Sequence, residues 1–213
     1  MYELIVFDWD GTLMDSTALI AGSLQSACRD AGAPIPSDAD ARYVIGLNLA
    51  DMLKHIAPGI DLERQARLVE RYRHHFTAGE QSPLFEGIRE LLAELHGGGK
   101  RLAVATGKSR RGLQLALEAT GLGPMFEFTR CADEGFAKPH PGMLHAILDY
   151  TGVEAERAVM VGDTTHDLQL AANAGVDAIA VLYGAHPQEL LDTHGAVARC
   201  ASVPELRQCL ISG

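Results

Sequence analysis

The sequence contains few cysteines and no long apolar run. The four cysteines form no C-x-x-C pair, and none lies near a histidine at zinc-finger spacing. We therefore expect reduced, mostly structural thiols and a cytoplasmic protein. The first apolar stretch stops at Asp8, and a stretch of this length is too short for a signal peptide. No uncharged run is long enough to predict a membrane span.

Basic residues are also scarce, with 18 Lys and Arg against 28 Asp and Glu and a net charge of -10. This balance argues against nucleic acid or an anionic membrane as a partner. Any anionic substrate must then be attracted locally, by a metal ion or a few basic side chains. With 213 residues, of which 47% are hydrophobic and 22% charged, the composition predicts a globular protein of one to two domains.

Short, continuous apolar runs alternate with helical patterns over most of the chain. Such runs are typical of parallel strands that are covered on both faces. The alternation predicts an α/β fold, a doubly wound parallel sheet with a Rossmann-like core. The predicted strands span residues 4–7, 101–106, 126–131, 158–163 and 177–183, and the helices between and after them span residues 87–99, 109–121, 140–152, 164–175 and 204–211.

One region lacks strand patterns altogether. Between Asp15 and Ser82 the apolar residues recur at helical spacing in four successive segments. We predict that residues 15–80 form an inserted, all-helical cap domain. The α/β core then comprises residues 1–14 and 81–213.

Carboxylates, a lysine and a hydroxyl stand near the ends of several predicted strands. They are Asp8 and Asp10 after the first strand, Thr106 and Gly107 at the second, Lys138 before a helix, and Asp163 and Asp167 after the fourth. The carboxyl ends of parallel strands meet at one edge, where ligands bind in open sheets. Two carboxylates one residue apart repel each other, so a positive group is expected between them.

This inventory suits phosphoryl transfer with Mg²⁺, which prefers oxygen ligands and one or two carboxylates. One carboxylate can attack phosphorus and form an acyl phosphate. A second can protonate the leaving oxygen and later deprotonate a water molecule. The lysine and the threonine hydroxyl can hold the phosphoryl oxygens, where charge must be stabilised.

Four segments, DWDGTLMDS, ATGKS, KPHPG and GDTTHDLQLAANAG, resemble in this order the four signature motifs of the haloacid dehalogenase-like hydrolases. The sequence is most similar to the phosphoglycolate phosphatase-like branch with a helical cap, and the similarity covers nearly the whole chain. The resemblance implies a Mg²⁺-dependent phosphatase that acts on a small phosphorylated metabolite, with a cap that closes over the substrate.

The resemblance also implies a role for each motif residue. Asp8 is the nucleophile that becomes aspartyl phosphate, and Asp10 is the general acid and base. Thr106 binds the phosphoryl group, and Lys138 neutralises both the nucleophile and the phosphate. Asp163 ligates Mg²⁺ together with Asp8 and the backbone carbonyl of Asp10, and Asp167 supports the metal or the lysine.

The sequence departs from the family pattern at two positions. Trp9 stands where this branch more often has Phe, and its alternate spacing predicts a packing role away from the two aspartates. Gly107, which we include among the substrate-binding residues with Thr106 and Lys138, stands where Asn is often found. In the cap, Arg42, Asn48 and Lys54 are candidate substrate contacts, because that segment faces the site in relatives.

Several alternatives stay open. A β-phosphoglucomutase-like phosphomutase could use the same site, and a catalytically silent binding module could share the fold, although a silent module is expected to lack one of the motif residues. A dehalogenase is less favoured, because carbon–halogen displacement needs neither Asp10 nor a metal. The substrate could be glycolate phosphate, a sugar phosphate, a nucleotide or pyrophosphate, and the protein could be a monomer or a homodimer.

Overall fold

Six parallel strands form one sheet in the order β3-β2-β1-β4-β5-β6 in the computed structural model, which describes residues 2–79 and 82–212. The strands are β1 Leu4–Phe7, β2 Arg101–Thr106, β3 Phe128–Cys131, β4 Ala158–Gly162, β5 Asp177–Val181 and β6 Ala198–Cys200. The molecule therefore has the predicted doubly wound α/β architecture. The central strand β1 pairs with β2 on one side and β4 on the other.

The described residues form ten α-helices. Four of them, α1 Thr17–Ala31, α2 Asp38–Tyr43, α3 Leu49–Ile56 and α4 Leu62–Ala78, follow β1 directly. The others are α5 Ile88–Gly97, α6 Arg110–Thr120, α7 Gly142–Thr151, α8 Thr165–Ala174, α9 Gln188–Leu191 and α10 Val203–Ser212. Within the described ranges, we find no helix with the length and apolar character that a membrane crossing requires.

The sheet separates two apolar clusters, one on each face. Side chains alternate between the faces of a strand, so Ile5 and Phe7 of β1 pack in one cluster while Leu4 and Val6 pack in the other. Helices α5 and α10 contribute to the first cluster, and α7 and α8 contribute to the second. This double cover explains why the strands read as continuous apolar runs.

Trp9, just beyond β1, is fully buried in the first cluster. Its ring meets that of Phe126 edge to face, with the ring centroids 6.2 Å apart. The predicted packing role of Trp9 is confirmed.

The sequence prediction differs from the structure toward both edges of the sheet. Strand β3 begins at Phe128 rather than at residue 126, and β5 ends at Val181 rather than at residue 183. The short elements α9 and β6 were not predicted. Strand β6 has only three residues, one of them Arg199, so it contains no apolar run that could indicate a strand.

Helices α1 to α4 share a third apolar cluster, which includes Leu24 of α1, Leu53 of α3 and Leu68 of α4. The carboxylate of Asp30, at the end of α1, also accepts hydrogen bonds from two side chains of α4, Arg71 and His75. These contacts support our proposal that the four helices form the cap. The predicted boundary between residues 80 and 81 lies outside the described residues.

Candidate active site

The sheet order places Asp8 and Asp163 next to each other. Strands β1 and β4 are neighbours, and the chain leaves them in opposite directions along the sheet, which creates the crevice where open α/β sheets bind ligands. The backbone N–H of Asp8 donates to the carbonyl of Val161, 2.9 Å away, and so continues the pairing of β1 with β4. Two distant sequence motifs therefore meet at one edge.

Lys138 lies between two of the carboxylates. Its Nζ is 2.6 Å from Oδ1 of Asp8 and 2.6 Å from Oδ1 of Asp167, and all three side chains are buried. Burial alone lowers the pKa of Lys138, but the charges of Asp167 and Asp8 outweigh it and raise that pKa above its usual value. The lysine is thus a fixed positive charge beside Asp8.

The single positive charge of Lys138 does not balance the negative charges of the aspartates around it. Ligand atoms of Asp8, Asp163 and Asp167 all lie within 4.8 Å of one another. Burial raises the pKa of Asp8 to about 7, since the lowering by Lys138 is opposed by the charge of Asp167. Burial also raises the pKa of Asp163 well above its usual value, as do the charges of Asp8 and Asp167. The cluster needs further positive charge to be fully ionised.

Oδ2 of Asp8 is a buried oxygen for which the described residues provide no hydrogen-bond partner. A buried carboxylate oxygen without a donor is unfavourable unless a cation or a ligand satisfies it. Together with the neighbouring acids, this oxygen-rich set fits a hard divalent cation such as Mg²⁺.

Local structure orients the other two acids. Asp163 accepts hydrogen bonds from the hydroxyl of Thr12, at 2.8 Å, and from the backbone N–H of Ala185, at 2.7 Å. Oδ2 of Asp167 accepts from the hydroxyl and the backbone N–H of Thr164, in a capping box that starts α8. Because the other oxygen of Asp167 contacts Lys138, this aspartate holds the lysine in place.

Gly11 lets the first motif approach Asp163. Its φ of +83° lies in the region that favours glycine, and a Cβ at this position would overlap the Asp163 carboxylate. The glycine of the D-x-D-G segment is therefore required both by its backbone conformation and by the close contact.

Asp10 belongs to a separate group of contacts. Its Oδ1 accepts from the hydroxyl of Ser16 at 2.6 Å, and its Oδ2 lies 2.9 Å from Nζ of Lys108. The side chain of Asp10 is not part of the cluster formed by the three other acids. That Asp10 contributes its backbone carbonyl to a metal, as the family resemblance implies, stays a prediction.

A cavity of about 460 Å³ opens over this edge. Asp8, Asp10, Thr106 and Gly107 line it from the core side. Residues from α1, α3, α4 and the segment between α2 and α3 line it from the other side. Four of the predicted residues, Asp8, Lys138, Asp163 and Asp167, thus form one cluster, and Asp10, Thr106 and Gly107 meet Asp8 at the cavity.

The three cap candidates have different positions. Asn48 lines the cavity and also caps α3. Arg42 instead pairs with Asp38 and donates to the hydroxyl of Thr17. Lys54 is exposed and pairs with Asp51.

The backbones of cap and core touch at Gly107. A Cβ at Gly107 would overlap the carbonyl groups of Gly46 and Leu47, which belong to the turn after α2. The absence of a side chain at position 107 therefore lets the cap come close to the loop that follows β2. This contact gives a physical reason for glycine where the family often has asparagine.

Two buried histidines of the core form hydrogen bonds with the cap at the end of α2, next to the turn that contacts Gly107. Nε2 of His166 and Nε2 of His186 each lie 2.9 Å from the carbonyl oxygen of Tyr43, which can only accept, so both rings donate. Burial lowers the pKa of His166, and it lowers that of His186 to about 4. Both rings are therefore neutral near pH 7 and bind the cap through hydrogen bonds.

Sequence reasoning missed several residues that organise the site. They are Thr12, Ser16, Tyr43, Lys108, Thr164 and His186. Four of them stand inside the motif segments, so their position was a usable signal. Tyr43 and His186 stand in no motif, and only the fold brings them together.

Comparison with known proteins places the chain in a family. The family model described as haloacid dehalogenase-like hydrolase matches residues 5–181. A protein named probable phosphatase IndB from Dickeya dadantii is 37% identical over 216 residues, with 94% of each chain covered. A phosphoglycolate phosphatase from Caulobacter vibrioides is 34% identical over 200 residues, covering 90% of this chain and 84% of that one.

A solved structure shows the same fold. The crystal structure of a protein named putative haloacid dehalogenase-like hydrolase, from Bacteroides fragilis, has a TM-score of 0.88 at 22% identity, with 97% of this chain and all of that chain covered. Fold, motif order and sequence similarity agree with one another. This chain belongs to the haloacid dehalogenase-like hydrolases, in their phosphoglycolate phosphatase-like branch.

Proposed function

We propose that this protein is a Mg²⁺-dependent phosphatase that hydrolyses a monoester of a small metabolite through an aspartyl phosphate on Asp8. The observation that carries the proposal is the state of the Asp8 carboxylate. One oxygen is held by Lys138, and the other is buried beside two further acids and has no hydrogen-bond partner among residues 2–79 and 82–212. A purely structural carboxylate would be expected to have both oxygens satisfied.

We propose that Asp8, Asp163 and the backbone carbonyl of Asp10 hold the Mg²⁺ ion, with Asp167 contributing through Lys138 and through its charge. When bound, the ion supplies positive charge that lowers the pKa of Asp8 and attracts the phosphoryl oxygens. Lys138 adds a second, permanent positive charge. Thr106 at the end of β2 and the backbone around Gly107 provide contacts for the phosphoryl group.

In the first step, a carboxylate oxygen of Asp8 attacks phosphorus, and the bond between phosphorus and the alcohol oxygen breaks. Asp10 gives its proton to the departing oxygen, so the alcohol leaves neutral. The carboxyl group of Asp10 lines the cavity and is fixed by Ser16 and Lys108. This position at the cavity wall suits a group that exchanges a proton with the oxygen of the departing alcohol.

In the second step, a water molecule attacks the phosphorus of the aspartyl phosphate, and Asp10 accepts its proton. The bond between phosphorus and Asp8 breaks, inorganic phosphate leaves and the Asp8 carboxylate is restored. Asp10 ends the cycle protonated, as it began. The cap limits access of bulk water to the site during the first step.

The proposal is tested with a generic aryl phosphate. We expect turnover with Mg²⁺, loss of turnover with EDTA and recovery when Mg²⁺ is restored in excess. Asp8→Asn abolishes turnover, whereas Asp149→Asn, the same change at an exposed position of α7, retains it. Binding of Mn²⁺ followed by electron paramagnetic resonance gives a separate measurement, and it weakens in Asp163→Asn. Full activity in Asp8→Asn, or in EDTA, would contradict the proposal.

The relatives are named for different activities, and phosphoglycolate, sugar phosphates and nucleotides are all candidate substrates. A phosphomutase would have to hold a second phosphate in the cavity. Among the described lining residues, Lys108 and Arg73 are the basic side chains, and Lys108 is paired with Asp10. Hydrolysis is therefore the better supported outcome. We also propose a cytoplasmic location, because all four cysteines are free thiols.

A further inference from the structure

The cavity has two chemically different ends. At the core end lie the carboxylates of Asp8 and Asp10 with Thr106. At the cap end the wall is mostly apolar, and its larger apolar and aromatic members are Ile20, Ile45, Leu47, Leu49, Met52, Tyr72 and Phe76. The phosphate must lie at the core end for Asp8 to reach it, so the leaving group extends toward the apolar wall.

Two aromatic rings form part of that wall. Tyr72 and Phe76, one turn apart on α4, are stacked with their ring centroids 5.9 Å apart and an angle of 22° between the rings. Nζ of Lys108 lies 5.0 Å from the centroid of Phe76 while it also contacts Asp10. This contact places the Phe76 ring beside Lys108 and Asp10, the proposed general acid for the leaving group.

The same wall offers little to an anionic leaving group. In the described lining, Lys108 is engaged with Asp10, and Arg73 is exposed to solvent. Asp133 adds another negative charge. A carboxylate enclosed beside Ile45, Leu49 and Phe76 would lose hydration, and the exposed guanidinium of Arg73, which solvent screens, would compensate this cost only weakly.

The size of the cavity also favours a leaving group larger than glycolate. Its volume of about 460 Å³ lies within the range of roughly 300–1,000 Å³ that is usual for sites of drug-sized ligands. A two-carbon leaving group would leave much of this space unfilled, including the surface of the two rings. A ring-bearing leaving group would remove that apolar surface from water.

We propose, on the basis of the proposed phosphatase function, that this enzyme selects monoesters whose alcohol carries an aromatic or similarly apolar ring, which packs against Tyr72 and Phe76. Monoesters with a compact carboxylate-bearing alcohol, such as 2-phosphoglycolate, are then poor substrates. The specificity of this chain differs in that respect from the activity for which its phosphoglycolate phosphatase relatives are named.

The test compares benzyl phosphate, ethyl phosphate and 2-phosphoglycolate with Mg²⁺. All three release a primary alcohol, so differences in rate do not arise from an activated phenolate. We expect kcat/KM for benzyl phosphate to exceed that for 2-phosphoglycolate by at least about tenfold, within the 10–200-fold range typical of apolar pockets. Equal values, or a preference for 2-phosphoglycolate, would overturn the inference and leave the phosphatase function intact.

Substitution of one ring locates the effect. Phe76→Ala lowers kcat/KM for benzyl phosphate by about tenfold and changes that for ethyl phosphate by less than about threefold. Leu62→Ala is the matched control, because Leu62 is on the same helix, is 83% exposed and does not line the cavity. An equal loss for both esters in Phe76→Ala would mean that the ring does not recognise the leaving group.

Binding gives a readout that does not depend on turnover. Calorimetric titration of the wild-type protein with benzylphosphonate and with phosphonoacetate should show the first to bind at least about tenfold more tightly. If no ester is hydrolysed, the phosphatase proposal fails, and this titration alone decides the preference for a ring. Tighter binding of phosphonoacetate, or equal binding, would overturn the inference.

Discussion

Nζ of Lys138 lies 2.6 Å from Oδ1 of Asp8, although 130 positions separate the two residues in the chain. The same nitrogen contacts Asp167, so one buried ammonium group forms ion pairs with two buried carboxylates. Removal of one member of a buried ionic group leaves the others uncompensated in a medium that solvates them poorly. The three residues therefore connect the stability of the fold to the chemistry of the site.

We expect Lys138→Met to destabilise the protein by about 3–5 kcal/mol, because Asp8 and Asp167 then lose their buried positive partner. Turnover should fall by at least about 100-fold, since the phosphoryl charge also loses a stabilising group. Urea unfolding and steady-state kinetics measure the two effects. Lys54→Met is the control, because Lys54 is in an exposed pair, and it should change stability by less than about 0.5 kcal/mol. A wild-type unfolding curve for Lys138→Met would contradict this account of the cluster.

Lys108 positions the proposed general acid and base rather than acting on its own. We expect Lys108→Met to lower kcat/KM by about 10–100-fold, because the Asp10 carboxylate loses one of the two groups that orient it. In an Asp10→Asn background, the same substitution should have little further effect. The four kcat/KM values form a double-mutant cycle. Additive losses would show that Lys108 acts independently of Asp10.

Gly107→Ala should disturb the contact between cap and core. The added Cβ overlaps two backbone carbonyls of the turn after α2, and backbone atoms cannot rotate away as a flexible side chain can. We expect KM to rise and kcat/KM to fall by about tenfold or more, because the cap can no longer approach the loop after β2, which we propose binds the phosphoryl group. Gly22→Ala is the matched control, since a Cβ at that helical position meets nothing within 4 Å. Unchanged kinetics in Gly107→Ala would mean that this contact does not limit cap closure.

The contact between α1 and α4 predicts a dependence of stability on pH. Hydrogen bonds from His75 and Arg71 lower the pKa of Asp30, so the folded state favours the ionised carboxylate. Its contribution is present above the unfolded pKa, about 3.9, and is lost as the pH falls through the lower folded value. We therefore expect Asp30→Asn to be less stable than wild type at pH 7, with a difference that shrinks below about pH 4. Urea unfolding between pH 3 and 7 tests this, and a difference that persists unchanged at pH 3 would contradict it.

The parallel arrangement of the strands and the meeting of Asp8 with Asp163 were predictable from local patterns. Continuous apolar runs indicate strands covered on both faces, and the residues that end such strands share one edge. The capping of α6 by Ser109 and its end at Gly121 also follow from local chemistry.

Other features depend on contacts between distant segments that leave no local signal. The carbonyl of Tyr43 meets two histidine rings only because α2 folds back onto the core, and a backbone carbonyl carries no sequence information. The pairing of Lys108 with Asp10 likewise depends on how two loops approach each other. Strand β6 was missed because a strand of three residues at the sheet edge needs no apolar periodicity.

Chemical trapping of the intermediate tests the central claim most directly. Wild-type protein turning over a phosphate monoester with Mg²⁺ is quenched with sodium borohydride, which reduces an acyl phosphate to an alcohol, and is then analysed by peptide mass spectrometry. We predict that Asp8 is converted to homoserine, that Asp10, Asp163 and Asp167 are not converted, and that omission of substrate abolishes the conversion. Sustained turnover with conversion at another aspartate, or with none at Asp8, would contradict the account.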